Sequence, residues 1–164
     1  GAAFMELRNN GLLEKHVVDV LKEKKLTITT VESCTGGMIS SRIVNVPGAS
    51  AVLKQAYVTY CDEAKHTVLG VKKETLEKYY AVSSQTACEM AEGGAKAARA
   101  DVCVSVTGVA GPDTEDGKPV GCVFIGCFYN GNVTVKEYSF KGNRMEIRSQ
   151  AADEALKLVL NVVK

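Results

Sequence analysis

The sequence predicts an α/β fold: a three-layer α/β/α sandwich on a mixed, mostly parallel sheet of five strands, with a β-hairpin near the carboxyl terminus. Short runs rich in β-branched residues alternate with segments of helical periodicity up to residue 107. Strands joined by helices pair in parallel and carry helices on both faces of the sheet. Asn130-Gly131 lies between two strand-like runs and is a strong signal for a two-residue hairpin, which adds an antiparallel strand.

The length of 164 residues suits a single domain, which we place at residues 5–164. Gly1–Phe4 precede Met5, resemble a remnant of expression and are left out of the fold. Capping residues, glycines and apolar spacing predict the elements in order. They are a helix over Asn10–Lys24, a strand over Leu26–Glu32, a helix over Gly37–Asn45, a short helical piece over Ala51–Lys54, a strand over Gln55–Tyr60, helices over Asp62–Leu69, Lys73–Tyr80 and Ser83–Ala98, strands over Asp101–Thr107, Val120–Tyr129 and Val133–Phe140, and a helix over Asn143–Val162.

Composition narrows the function classes. The 20 basic and 19 acidic residues give a formal net charge of +1 without a basic stripe, so nucleic acid is not an expected partner. We expect no membrane span and no secretory leader, because no apolar run is long enough. The six cysteines include no CxxC pair, and His16 and His66 lie at no metal-ligand spacing. These features favour a reduced, cytoplasmic protein without disulfides, and they indicate no metal site.

The most informative stretch is Thr29–Gly37, where a strand ends and a helix begins after a tight turn. Ser33 and Cys34 place a hydroxyl and a thiol at this turn, close to the N–H groups at the start of a helix, which favour negative charge. Acyl transfer requires such a nucleophile beside oxyanion donors. The simpler alternative is that Ser33 or Thr35 only caps the helix. A phosphate-binding loop of the GxxxxGK type is not indicated, because no lysine follows the glycines.

Two other strand ends carry reactive or flexible groups, and parallel strands bring all three ends to one edge of the sheet. Tyr60 closes one strand with Lys65 just behind it, and residues 107–112 follow another. A neutral Lys65 can serve as the base for a serine, as in Ser–Lys variants of the catalytic triad. Tyr60 can relay a proton or orient the amine. Alternatively, Lys65 is a solvated helix charge and Tyr60 a strand-end aromatic.

Six motifs in order carry a resemblance that covers nearly the whole chain. They are Glu32-Ser33-Cys34-Thr35-Gly36-Gly37, Asn45-Val46-Pro47-Gly48-Ala49-Ser50, Tyr60-Cys61-Asp62-Glu63-Ala64-Lys65, Gly94-Ala95, Thr107-Gly108-Val109-Ala110-Gly111-Pro112 and Lys118-Pro119-Val120-Gly121. Together they closely resemble the CinA carboxy-terminal domain family, the nicotinamide-nucleotide amidases.

The resemblance implies an amidohydrolase that converts nicotinamide mononucleotide to nicotinate mononucleotide and ammonia, without a metal or other cofactor. It implies that Ser33 is the nucleophile, with assistance from Tyr60 and Lys65. It also implies a small-molecule nucleotide as partner, an α/β/α sandwich, and a homodimer or higher homo-oligomer. The residues expected to bind substrate, through oxyanion donors, close backbone approach or a cation for the phosphate, are Cys34, Thr35, Gly36, Gly37, Ser50, Thr107, Gly108, Ala110, Gly111 and Arg144.

Two departures from the family pattern bear on the site. The chain has Cys61-Asp62 where the family commonly has Ser-Asn, and residues 113–117 read Asp-Thr-Glu-Asp-Gly where the family is usually glycine-rich. Whether this acidic loop acts as a lid stays open, as does whether the chain is one domain of a longer protein. The other functions considered are a non-catalytic nucleotide-binding module and a protein-interaction module linked to competence or DNA damage.

Overall fold

A computed structural model describes residues 11–164. The predicted cap at Asn10 and the segment Gly1–Phe4 lie outside these residues. In chain order the described elements are α1 (Leu12–Glu23), β1 (Ile28–Glu32), α2 (Met38–Val44), a 3₁₀ turn (Ala49–Ala51), β2 (Tyr57–Val58), α3 (Asp62–Leu69), α4 (Lys73–Tyr79), α5 (Ser84–Ala98), β3 (Val102–Gly108), β4 (Cys122–Tyr129), β5 (Asn132–Ser139) and α6 (Arg144–Val163).

The five strands form one sheet in the order β2-β1-β3-β4-β5. Strand β1 is central to the parallel part and pairs with both β2 and β3. Strands β4 and β5 form the expected hairpin, and β4 pairs antiparallel to β3 and to β5. Four of the five strands therefore run in one direction and β4 is reversed. The mixed sheet is confirmed, although only the two pairings made by β1 are parallel.

Helices cover both faces of this sheet, which confirms the three layers. Alternate β3 residues point to opposite faces: Val104 joins a core with α1, α2 and α6, whereas Cys103 joins a second core with α3, α4 and α5. Strand β1 is buried along its whole length, as expected for a strand covered on both sides. Gly94 explains the close approach of α5, because a Cβ there would overlap the side chains of Val31 and Cys103.

Several predicted boundaries shift. Strand β2 spans only Tyr57–Val58, because it borders the sheet and pairs only with the last residues of β1. The helical piece expected at Ala51–Lys54 is a 3₁₀ turn that begins earlier, at Ala49. The bounds of α3 agree with the prediction, with Cys61 as its N-cap and Asp62 as its first helical residue.

Three helix-end predictions agree with the structure. The Ser83 side chain accepts a hydrogen bond from the Thr86 N–H at the start of α5. Gly70 ends α3 in the left-handed conformation. Asn143 and Glu146 form a capping box that starts α6. Within residues 11–164, no helix combines the length and apolar character that a membrane span requires.

Candidate active site

A cavity of about 300 Å³ opens at the carboxyl ends of β1, β2 and β3, at the small end of the range for ligand sites. It unites the three strand ends that the sequence pointed to. Of the predicted site residues, those that line it are Ser33, Cys34, Tyr60, Lys65, Thr107, Gly108, Ala110, Gly111 and Arg144. The cavity also has an acidic rim formed by Asp62, Asp113 and Glu115.

Ser33 and Lys65 form a buried pair at the base of this cavity. Ser33 follows β1 directly, and its N–H donates to the carbonyl of Val106 in β3, which fixes the residue at the sheet edge. Lys65 lies in α3 and points inward, with a side chain only 1% exposed. Its Nζ lies 3.0 Å from the Ser33 Oγ. A fully buried lysine is rare unless it is paired, so the alternative of a solvated helix charge is wrong for Lys65.

The partners of Lys65 are neutral groups. Its Nζ is 2.9 Å from the carbonyl oxygen of Thr59 and 3.4 Å from that of Tyr60, and the described residues offer it no hydrogen-bonded carboxylate. Burial lowers the pKa of Lys65, although the carboxylate of Asp62 opposes that shift. A neutral amine has two N–H donors, which match the two carbonyls, and one lone pair, which matches the Ser33 hydroxyl.

Cys34 is a poor competitor as nucleophile. It is buried, and burial raises the pKa of its thiol to about 12, with Arg148 and Lys65 only partly offsetting the shift. The thiolate is the nucleophilic form of cysteine, so this thiol is unreactive near neutral pH.

The start of α2 does not supply the expected oxyanion donors, because Glu32 occupies it. The fully buried Glu32 carboxylate accepts from the N–H groups of Gly37 (3.2 Å), Ile39 (2.9 Å) and Ser40 (3.1 Å). It also accepts from the Thr30 hydroxyl. A carboxylate at a helix N-terminus is electrostatically favoured. The start of α2 therefore binds the Glu32 carboxylate, and its N–H groups are not available to an oxyanion of the substrate.

The turn between β1 and α2 offers other donors. The Gly36 N–H donates to the Ser33 carbonyl, which closes the turn. The N–H groups of Cys34 and Thr35 donate to no acceptor among the described residues. Gly36 and Gly37 both have positive φ angles, which explains why glycines stand here. Of the predicted segment Cys34–Gly37, only Cys34 borders the cavity.

Tyr60 and Arg144 meet at the mouth of the cavity. The Arg144 guanidinium donates to the Tyr60 hydroxyl oxygen at 2.9 Å and to the Gly111 carbonyl at 2.6 Å. The Tyr60 side chain is 60% exposed. Tyr60 therefore contacts Lys65 through its backbone carbonyl, whereas its phenol holds Arg144. No carboxylate pairs with Arg144 among residues 11–164, so its charge is available to an anion.

The segment after β3 forms the opposite wall. The Thr107 hydroxyl donates to the Ala81 carbonyl, which ties this wall to the segment before α5. Gly108 has no room for a side chain, because a Cβ would overlap Val123 and the carbonyl of Cys122 in β4. Close packing against β4 therefore explains why position 108 is a glycine. Gly111 has a φ of 85° and presents its carbonyl to Arg144.

Ser50 is not part of this site in the described chain. It lies in the 3₁₀ turn, and the nearby Val52 and Leu53 are bonded to Ile28 at the first residue of β1. Ser33 follows the other end of the same strand. Contrary to the prediction, Ser50 is therefore not among the residues that line the cavity.

Two features escaped the sequence reasoning. Arg148 donates from Nε to the Cys34 carbonyl at 2.8 Å and from Nη2 to the Thr35 carbonyl at 3.0 Å. Its spacing of four residues from Arg144 places both on one face of α6, which was the available signal. The acidic loop folds back at Asp116-Gly117, and Asp116 accepts from the Val82 N–H. An Asp-Gly pair is a known turn signal.

No group of three or more potential His, Cys, Asp or Glu ligands occurs in the described part of the chain. The cavity combines a buried Ser–Lys pair, the unpaired N–H of Cys34 and a cation at its mouth.

Comparisons with known proteins identify the family of the chain. The sequence model of the CinA C-terminal domain matches residues 11–163. The chain belongs to the CinA C-terminal domain family. It is 50% identical over 149 residues to a CinA-like protein of Kosmotoga olearia, covering 90% of this chain and 36% of that protein. The chain thus spans little more than a third of the curated relatives that it matches.

Solved structures of this family share the fold. The competence/damage inducible protein CihA from Agrobacterium tumefaciens superposes with a TM-score of 0.91 at 38% identity, over 94% of this chain and 95% of that one. A competence-damaged protein (CinA) superfamily protein from Escherichia coli gives a TM-score of 0.92 at 32% identity, over 96% and 92%. The family and the α/β/α fold expected from the motifs are confirmed. These names refer to competence and damage and do not name a reaction.

Proposed function

We propose that this CinA-family domain is a serine amidohydrolase that hydrolyses the carboxamide of nicotinamide mononucleotide. The observation that carries the proposal is the buried Lys65 amine, 3.0 Å from the Ser33 hydroxyl, with two carbonyls as its other partners. This arrangement holds a neutral amine as a base for a serine nucleophile. The sequence resemblance supplies the substrate, since it implies nicotinamide-nucleotide amidase activity.

The reaction proceeds in two steps, acylation of Ser33 and hydrolysis of the acyl ester. Lys65 takes the proton of the Ser33 hydroxyl, and the Ser33 Oγ forms a bond to the carboxamide carbon. The resulting oxyanion is stabilised by the N–H group of Cys34, the turn residue that borders the cavity. When the C–N bond breaks, the Lys65 ammonium returns its proton to the leaving nitrogen, which departs as ammonia.

The acyl ester on Ser33 is then hydrolysed. Lys65 is neutral again and takes a proton from water, whose oxygen attacks the ester carbon. The Ser33 Oγ leaves and recovers the proton from Lys65. The product is the free carboxylate, nicotinate mononucleotide.

The charges around the cavity suit this substrate. Its phosphate is an anion, and Arg144 at the mouth can donate to it in a charge-assisted contact. Its pyridinium ring is a cation, and Asp62, Asp113 and Glu115 contribute carboxylates to the cavity lining. The phosphate would favour a protonated Lys65 if it lay nearby, so we place it at Arg144, away from the Ser–Lys pair.

The test is to incubate the protein with nicotinamide mononucleotide and to measure ammonia together with nicotinate mononucleotide. We expect both products in equal amounts, and neither with the Ser33→Ala variant. A protein that binds the mononucleotide without releasing ammonia would show that the domain is a non-catalytic binding module.

A further inference from the structure

Arg148 joins the last helix to the turn that carries the nucleophile. Its half-buried guanidinium reaches from α6 to two consecutive backbone carbonyls, those of Cys34 and Thr35, at 2.8 and 3.0 Å. Among the described residues no carboxylate pairs with it. The planar guanidinium of Arg148 therefore donates its hydrogen bonds to the two peptide groups that lie just beyond Ser33.

Holding a carbonyl also fixes the N–H group of the same peptide. A trans peptide is planar, and its C=O and N–H bonds point in opposite directions. The carbonyl of Cys34 points to Arg148, so the N–H of Thr35 points away from it. The second carbonyl that Arg148 holds, that of Thr35, belongs to the peptide that carries the Gly36 N–H. This N–H donates to the Ser33 carbonyl, and that contact sets the direction of the Cys34 N–H in the same way. The N–H groups of Cys34 and Thr35 lack an acceptor among the described residues.

The turn needs such a hold. Gly36 and Gly37 follow at once, both with positive φ, and glycine gives the backbone wide conformational freedom. The N-terminus of α2 cannot substitute for these donors, because Glu32 occupies its N–H groups. The orientation of the Cys34–Thr35 peptide thus depends on a contact from outside the turn.

We infer that Arg148 is a positioning residue that holds the peptide groups of this turn and thereby sets the Cys34 N–H as the oxyanion donor beside Ser33. The inference rests on the proposed function, but it concerns a residue that does not line the cavity. Arg148 acts on the transition state through the backbone and not by contact with substrate.

The experiment compares Arg148→Ala and Arg148→Lys with a matched control, Arg42→Lys. Arg42 also contacts α6, through Asp153, and contacts Glu14 in α1, but its side chain bonds no carbonyl of the turn. Steady-state kinetics with nicotinamide mononucleotide give kcat and KM separately, and urea unfolding reports stability. The thioamide analogue of the substrate is measured in parallel, because its sulfur accepts hydrogen bonds more weakly than oxygen does.

For Arg148→Ala we expect kcat to fall about 10²-fold, as when an oxyanion donor is misplaced, with KM within about twofold. In this variant the ratio of kcat for the amide to kcat for the thioamide should be smaller than in the wild type. Arg148→Lys should recover part of kcat, since one ammonium can reach one carbonyl. Arg42→Lys should lower the urea midpoint and leave kcat and the amide preference unchanged.

A wild-type kcat in Arg148→Ala, or an unchanged preference for the amide, would overturn the inference while the proposed function stands. A wild type that releases no ammonia removes the proposed function and with it the catalytic part of the inference. Amide hydrogen exchange at residues 34–38 tests, independently of any activity, whether Arg148 restrains the turn. Faster exchange in Arg148→Ala supports it, and unchanged exchange overturns it.

Discussion

At the scale of single residues, the protonation state of Lys65 decides whether the site can work. Its pKa lies below the ordinary value of 10.5 because burial disfavours the ammonium. The base is the neutral form, so activity is lost as pH falls through the pKa of Lys65 and rises as pH increases through it. We therefore expect kcat/KM to increase with pH to a plateau, with an apparent pKa below 10.5.

Lys65→Arg tests the same point by mutation. Arginine keeps the positive charge but does not deprotonate in this range, so activity should fall roughly 10²–10⁴-fold, the usual contribution of a general base. The exposed Lys73 at the start of α4 is the control, and Lys73→Arg should behave as the wild type. Substantial activity in Lys65→Arg would mean that Lys65 serves only as a fixed charge.

Ser33 and Cys34 are separated by paired alanine variants. Ser33→Ala removes the hydroxyl beside Lys65 and should abolish ammonia release. Cys34→Ala removes a buried thiol with a pKa of about 12 and should retain most of the wild-type rate. The opposite pattern, with an active Ser33→Ala and an inactive Cys34→Ala, would assign the nucleophile to the thiol.

Arg144 should act on binding more than on chemistry. Losing a charge-assisted hydrogen bond of about 1.5–3 kcal/mol should raise KM for the mononucleotide roughly tenfold to a hundredfold in Arg144→Ala. Nicotinamide riboside lacks the phosphate, so its KM should change little. Lys141→Ala, an exposed cation outside the cavity lining, is the matched control. Equal effects on both substrates would show that the phosphate is not the target of Arg144.

Sequence reasoning at this scale was strongest where a residue type and its place in the fold agreed. Ser33 and Lys65 were both predicted, because parallel strand ends converge and the motifs name the residues. Ser50 shows the limit, since a motif gives order along the chain but not which end of β1 the residue will lie beside. Likewise, the sequence placed Tyr60 at the site but could not decide whether its phenol or its carbonyl would reach Lys65.

At the scale of secondary structure, Glu32 connects the end of β1 to the start of α2. Its buried carboxylate accepts three backbone N–H groups and one hydroxyl. In Glu32→Gln the amide nitrogen cannot accept, so at least one buried N–H group loses its partner. We expect the free energy of unfolding to fall by about 2–3 kcal/mol, measured by urea denaturation.

Thr30→Val serves as the comparison for Glu32→Gln. It removes only the hydroxyl donor to the same carboxylate and should cost about 1 kcal/mol. Equal losses in the two variants would contradict the role of Glu32 as the cap of α2.

The reason why elements were predicted unevenly is also local. Helix ends such as Ser83 and Asn143 are set by a side chain that bonds its neighbouring N–H groups, so the sequence contains the cause. The length of β2 is set by how far β1 continues beside it, which is a property of two distant segments. The hydrogen bonds from the N-terminus of α2 to Glu32 were missed for a similar reason. The pattern of apolar and polar residues does not reveal which N–H groups a buried carboxylate will bind.

At the scale of the whole molecule, the order of segments determines the architecture. The alternation of strands and helices predicted the parallel part of the sheet, and Asn130-Gly131 predicted the hairpin that reverses β4. The Arg148 contact joins the last helix to the turn after the first strand, across 114 and 113 positions of sequence. Neither composition nor periodicity carries information about a contact of that range.

The absence of a metal requirement is a prediction for the whole protein. No ligand cluster occurs in residues 11–164, and a Ser–Lys pair needs no Lewis acid. Dialysis against a chelator should leave ammonia release unchanged. A loss of activity that added zinc or magnesium restores would refute this.

The six cysteines differ in solvent exposure, and this difference allows a fluorescent label to be attached beside the site. Cys61 is exposed, whereas Cys34, Cys103, Cys122 and Cys127 are buried and Cys88 is half-buried. Cys61 also sits between Tyr60 and Asp62, two residues of the cavity wall. A thiol-directed fluorophore at neutral pH will therefore attach preferentially at the rim of the site and leave the neighbour of the nucleophile untouched. Ligand occupancy can then be followed by fluorescence in the unmutated sequence.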